Sequence, residues 1–292
     1  MIFCRLFVRL LLLAACASAP LALAAGNYNT TDITVGTTVI TIPAPKEFAL
    51  LPPEAQPYFE WITRFITPNS EQFAVFLSEA DVANAKQGGM PDSRGRMFRV
   101  QTTKQLIPIS FTRAQFTKFK SALKAQNESM LKEVEAEMPG VVGKIIKEIS
   151  DSHKVNLGDF GLSTVQMMQL PPHDDTERKI AYSMLFALQV KDSDGQAMLN
   201  EGVATLTYVH IKGKVICLYV NAEKLGLEWS RSAAKQWVEA VIVANPSNAE
   251  TAAKEAEPQR SWFDWGSVVK DFAVWGLIGV IIALVRWQIK RH

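Results

Sequence analysis

The stretch AMLNEGVATLTYVHIKGKVICLYV, Ala197–Val220, decides the fold. It is rich in β-branched and aromatic residues and is broken once, by Lys212-Gly213. Two such runs around a two-residue Gly-containing turn form a β-hairpin, because only a residue tolerant of positive φ closes so tight a turn. This predicts strands over Ala197–Ile211 and Lys214–Val220, with Ile211 opposite Lys214, His210 opposite Val215 and Tyr208 opposite Cys217. Working back, Ile180–Val190 and Gly161–Leu170 read as further strands, with Asp194-Gly195 as a second hairpin turn. Consecutive strands joined by tight turns require an antiparallel sheet.

Elsewhere the period changes. Glu228–Ala244 sets Trp229, Ala233, Trp237 and Val241 on one side of a helix that Asn245-Pro246 stops. Thr112 with Gln115 three residues on is a capping box, and opens a long helix marked by Phe116, Phe119, Leu123, Met130, Val134 and Met138. Pro139-Gly140 breaks it, and Val142, Ile145, Ile146 and Ile149 mark a second helix. Towards the N-terminus, Ile33–Ile42 alternates as one strand closed by Pro43 and Pro45. Pro52-Pro53 opens a short helix through Tyr58, Trp61, Ile62 and Phe65. Phe73–Leu77 and Met97–Thr102 read as strands joined by a loop carrying Gly88-Gly89, Pro91 and Gly95. The expected class is α+β, an antiparallel sheet covered by helices in the manner of an α/β/α sandwich.

The segment GKVICLYVNAEKLGLEWSRSAAKQWVEAVIVAN, Gly213–Asn245, resembles the closing strand and helix of PsbP/Mog1-type α/β/α sandwich proteins, and the early strand running into Pro43 fits the same pattern. The long paired helices over residues 112–150 depart from that pattern. The resemblance implies a domain that binds or assists the assembly of other proteins, and it carries no catalytic residue over to this chain.

Hydrophobic residues make up 48% of the 292 and charged residues 21%, which excludes collagen-like and disordered classes. A mean hydropathy of +0.05 excludes a polytopic transporter. Arg5 and Arg9, the apolar Leu10–Ala17, Pro20 and Ala22-Leu23-Ala24-Ala25 form a signal-peptide pattern over residues 1–24. Leu13-Ala14-Ala15-Cys16 offers a second reading, a lipobox that would make Cys16 a lipidated first residue. Loss of Arg5 and Arg9 lowers Lys+Arg from 31 to 29, equal to Asp+Glu, so the mature chain lacks the basic footprint of a nucleic-acid binder.

At the other end, residues 246–263 form an Ala/Glu/Pro-rich tether. Residues 264–287 then read as a transmembrane helix: Trp265 and Trp287 bracket the apolar run Phe272–Val285, about 33 Å of helix apart. Phe272 and Trp275 lie in that run, Gly276, Gly279 and Ala283 give it a small-residue stripe, and Arg286 with Lys290 and Arg291 marks the cytoplasmic side, leaving residues 288–292 as a tail. The expected location is a bacterial inner membrane, single-pass, with residues 25–245 in the periplasm and the C-terminus in the cytoplasm.

No metal-ligand spacing, Walker motif, nucleophile elbow or dinucleotide fingerprint occurs, so no catalytic residue, cofactor or metal is assigned. His173-Asp174-Asp175 reads as a solvated turn, Asp192-x-Asp194-Gly195 as a hairpin turn, and Gln87–Arg96 as a surface loop. His210 and Cys217 fall on one sheet face as diagonal neighbours, so a Cys–His dyad is sterically conceivable, but an apolar strand points to a packing thiol. The expected function is a membrane-anchored periplasmic binding or assembly module with an envelope protein partner, without catalysis of its own; the alternative is an envelope hydrolase. A cleft gathering two or more of His153, His173, Asp174, Asp175, His210 and Cys217 would favour the enzyme, and an exposed apolar patch the module.

Overall fold

A computed structural model describes residues 29–64, 66, 69–89, 95–125, 162–191 and 197–246. Their order is β1 (Thr30–Val35), β2 (Thr38–Pro43), β3 (Phe48–Leu50), α1 (Tyr58–Arg64), β4 (Ser70–Ser78), α2 (Glu79–Lys86), β5 (Met97–Thr103), α3 (113–125), β6 (Leu162–Gln169), β7 (Asp174–Asp175), β8 (Lys179–Lys191), β9 (Ala197–Ile211), β10 (Lys214–Glu223) and α4 (Leu227–Ala244). The protein is α+β, with an antiparallel sheet and few helices.

Eight strands form the main sheet in the order β3-β4-β5-β10-β9-β8-β6, with β7 also on β8, and every pairing is antiparallel. The β9–β10 hairpin has the register read from the sequence: Ile211↔Lys214, His210↔Val215, Tyr208↔Cys217. Lys212 and Gly213 both have positive φ, 47° and 75°, the two-residue geometry whose twist matches the strands. β10 is central, and its first nine residues are all buried, which is why its sequence reads as an almost unbroken apolar run.

One sheet face presents Phe76, Phe98, Val100, Val209, Ile216, Leu218 and Val220 to Trp237, Val238 and Val241 of α4 and to Ile33, Val35, Ile40 and Ile42 of the β1–β2 hairpin. Trp237 makes edge-to-face contacts with Phe98 and Phe76, centroids 5.2 and 5.8 Å away, and its indole N–H donates to the Pro43 carbonyl at 2.8 Å. Asn245 fastens the helix end to β2. Its amide accepts from Thr41 N–H at 2.9 Å and donates to Thr41 O at 2.6 Å, as a neighbouring strand's backbone would. The opposite face carries Tyr208, His210 and Cys217. There Phe119 of α3 meets Tyr208 edge-on and Phe116 stacks on His210.

The structure corrects two expectations. Ile33–Ile42 is not one strand but parts of two, since the chain reverses at Gly36-Thr37 and Val35 pairs with Thr38. Gly36 has φ +63°, and a Cβ there would sit 2.7 Å from the Ile107 carbonyl oxygen, so both the turn and the close approach require glycine. The expected loop after β4 instead begins as α2, capped by Ser78 Oγ accepting from Asp81 N–H at 3.1 Å. Its apolar residues are only Ala and Val, so it carries almost no helical stripe; Ser78 followed by Glu79 and Asp81 is the signal that finds it.

The capping box is present, with Thr112 N–H donating to Gln115 Oε1 at 2.8 Å and Gln115 N–H to Thr112 Oγ1 at 3.1 Å. The expected continuation past residue 125 and the second helix around Val142–Ile149 lie outside the described residues, as do Phe65 and the Asp194-Gly195 turn. So do the signal, the tether and the anchor set Trp265, Phe272, Trp275, Gly276, Gly279, Ala283, Arg286 and Trp287. Among the described residues no helix is long and apolar enough to cross a membrane.

Candidate functional site

The residues that sequence reasoning put in doubt divide between the two faces of the sheet. His210 and Cys217 are on one face, as expected, but each is engaged in packing. The His210 ring is 2% exposed, stacks on Phe116 with centroids 5.3 Å apart, and bonds the Phe111 carbonyl through Nε2 at 2.9 Å. That bond places a proton on Nε2 and so removes it as a base. Cys217 is fully buried, and burial pushes its thiol far above the ordinary range, a hydrogen bond with Tyr219 offsetting this only in part. A thiol held protonated is no nucleophile. The pair is core.

On the other face, α4 lies over β9 and β10 and leaves β8 less covered. The resulting open cleft has a volume of about 390 Å³. Its floor is Ala181, Thr207, Ala234 and Val238; its walls are Glu228, Arg231, Ser232 and Lys235 from α4 and His173, Asp174 and Lys179 from β7–β8. The four α4 residues fall at i, i+3, i+4 and i+7, one helical stripe beside the buried one. Two rows of pairing, Asp174↔Ala181 and Ala181↔Thr207, place the β-strand side of the cleft.

Below the cleft a polar ladder ties helix to sheet. Ser183 Oγ and Thr205 Oγ1 are 3.1 Å apart, Thr205 Oγ1 and Ser230 Oγ 2.8 Å, and Arg231 Nε donates to Ser183 Oγ at 3.1 Å. The ladder fixes the guanidinium, whose Nη1 is 3.7 Å from Glu228. Lys179, 8% exposed at its side chain, is 2.6 Å from Asp174 and 4.0 Å from Glu239. Lys235 makes no ion pair among the described residues. His173 is held below its ordinary pKa, first by partial burial and then by the charge of Arg231, so its imidazole is neutral near pH 7.

His173 and Asp174 thus do meet in one cleft, joined by Ser232, while Asp175 is drawn elsewhere, to Lys120 and Lys124 of α3. His173 and Asp175 are exposed, in keeping with the solvated reading of His173-Asp174-Asp175, but the turn is corrected: Asp174–Asp175 is a short strand paired with β8. The signal for the cleft, Glu228/Arg231/Ser232/Lys235 at helical spacing, is indistinguishable in sequence from any solvated helix face. No hydrogen bond links Ser232 to His173 or His173 to Asp174, and Ser232 Oγ accepts from Gln236 at 3.4 Å. Among the described residues no group of three or more His, Cys, Asp or Glu could hold a metal ion. His153 and His292 lie outside the described residues. The large apolar residues that are exposed, such as Leu225, Val243 and Met168, stand on different elements.

No family model, no curated protein and no solved structure matches this chain.

Proposed function

We propose that this chain is a binding or assembly module of a bacterial envelope, anchored in the inner membrane by residues 264–287, with its α+β domain in the periplasm and no catalysis of its own. The α4–β8 cleft is where it holds an acidic segment of a protein partner. One observation carries this: the cleft walls bear three cations, Lys179, Arg231 and Lys235, against two carboxylates, Asp174 at 2.6 Å from Lys179 and the solvent-exposed Glu228 at 3.7 Å from Arg231, so Lys235 is left without an ion pair among the described residues. An incoming carboxylate meets in Lys235 a cation whose charge is not spent, beside a guanidinium whose only ion pair among the described residues is with a solvent-exposed carboxylate. The finer fold reading, an α/β/α sandwich, is supported by α4 and the β1–β2 hairpin on one face and α3 on the other.

The second reading, an envelope hydrolase, is favoured by Ser232, His173 and Asp174 lining one cleft. It needs a base aligned by a carboxylate, and here that carboxylate bonds Lys179 instead.

The test is a photocrosslinking residue at the cleft-lining Ser232 in intact membranes, with the exposed Lys46 as control position. The module reading expects one discrete adduct at Ser232, absent at Lys46 and lost when Lys235→Glu is added. No adduct at Ser232, together with a hydrolytic activity of the unlabelled protein abolished by Ser232→Ala, would establish the enzyme instead.

A further inference from the structure

The sheet face opposite the cleft contains a charge with no counterion among the described residues. Arg99 of β5 pairs with Tyr219 of β10, and Met97 pairs with Asn221, so Arg99 and Asn221 are diagonal neighbours on one face. They are 3% and 2% exposed. Among the described residues Arg99 Nε and Nη2 have no hydrogen-bond partner, and neither do Asn221 Nδ2 and Oδ1. The guanidinium lies over the Tyr219 ring, 5.3 Å from its centroid, which covers a flat face and forms no bond along the edge. No carboxylate among the described residues pairs with Arg99.

Arginine does not escape burial by losing its proton in the physiological range. Burial draws its pKa down, and no neighbouring acid reverses this. A water molecule would satisfy one N–H but would leave the charge uncompensated, and buried charges are ordinarily paired. The two orphan nitrogens are moreover the pair that forms the side-on fork of a guanidinium, the edge that accepts two oxygens of one oxyanion. The amide two residues along offers a donor and an acceptor to whatever that oxyanion is attached to.

We infer that this face holds an internal oxyanion site, in which the Nε–Nη2 edge of Arg99 takes both oxygens of a small carboxylate or phosphate and the Asn221 amide bonds the remainder of the same ligand. Near-complete burial of both residues restricts the ligand to a small molecule or ion. The site is independent of the α4 cleft, which belongs to the other face.

The test is thermal unfolding of the purified full-length protein in sodium formate and in sodium phosphate, each against sodium chloride at equal ionic strength. Ligand binding to the native state alone raises the melting temperature, by about 3–6 °C at ten times Kd for a domain of this size. The expected result is such a rise in formate, in phosphate, or in both, the arm that responds naming the oxyanion. Arg99→Met should abolish the rise and melt higher than wild type in chloride, since it removes an unpaired buried charge. Arg99→Lys keeps the charge without the fork and should weaken the response at least about fivefold; should Arg99→Met fail to fold, this variant decides. Arg231→Glu should leave the rise intact, which separates this site from the cleft. Phosphate also stabilises folded proteins generically by exclusion from their surface, so only the part of a rise that Arg99→Met loses counts. Identical melting in all three salts, a rise undiminished in Arg99→Met, or a full-sized rise in Arg99→Lys would overturn the inference.

Discussion

Cys217 shows how burial decides chemistry at the scale of one residue. Its thiol is wholly enclosed on the central strand and is held protonated by desolvation. Cys217 should therefore resist thiol reagents under native conditions and label only as the domain unfolds, and Cys217→Ser should cost stability, about 1–3 kcal/mol for placing a hydroxyl there, without loss of partner capture. Fast labelling of the native protein together with lost capture would show a working thiol. The sequence carries this much, because a cysteine inside an apolar strand is an ordinary core residue. It carries much less of Asn245. There the dipeptide Asn245-Pro246 announces only that a helix stops. Of the three bonds of its amide, the two to Thr41 N–H and Thr41 O join positions 204 residues apart and exist only once the sheet and helix have met, while the third, to Val241 O, is local to the helix end. The same holds for Arg99, which in sequence is one basic residue in an alternating strand; its isolation follows from what the fold packs around it.

At the scale of elements, α4 and the β9–β10 hairpin were legible because each expresses one period over a long run, and tertiary contacts reinforce that period. The β1–β2 hairpin was not, since alternation continues through Gly36-Thr37 and hides the reversal. Two predictions belong here. Trp237 is 3% exposed, sits against Phe98 and Phe76 and bonds Pro43. Trp237→Ala should destabilise the domain by about 3–5 kcal/mol for the cavity alone, measured by denaturant unfolding; an unchanged midpoint would mean that α4 does not pack as described. The second concerns the join between α3 and β7. Lys120 and Lys124, one helical turn apart, both bond the Asp175 carboxylate, and Lys120 also donates to Thr176 O at 2.6 Å. Although partial burial works against the anion, the two lysines hold the Asp175 carboxyl below its usual range. A depressed folded pKa gives stability that is present above the unfolded value and is lost as pH falls through the folded one. Since the carboxylate side chain is 30% exposed, solvent screening keeps the contribution near 1 kcal/mol. Asp175→Asn should therefore melt lower than wild type at pH 7, with the difference shrinking below about pH 4; a difference constant from pH 7 to pH 3 would show that the ion cluster contributes nothing.

For the whole molecule, the described residues supply a domain, and the flanking sequence is what the proposed address rests on. The α4 helix ends at Ala244, and Asn245 is fully buried, so the core closes where the Ala/Glu/Pro-rich tether begins. A boundary drawn there cuts no packed element among the described residues, and residues 26–245 should fold and remain monodisperse without detergent. The address rests on two patterns: basic, apolar and small residues over 1–24, and an apolar run bracketed by Trp265 and Trp287 with Arg286, Lys290 and Arg291 after it. Moving those cations across a bilayer is opposed, which gives the proposed orientation of domain outside and His292 inside. The full-length protein should stay in the membrane pellet through a high-salt wash, because salt screens surface charge and leaves a spanning helix in place. In spheroplasts, added protease should digest the domain and spare a C-terminal tag. Digestion of the tag with survival of the domain would invert the orientation. Release of intact protein by salt would mean that residues 264–287 do not span, and would remove the anchor from the proposed function while leaving the cleft and the Arg99 face to be tested in solution.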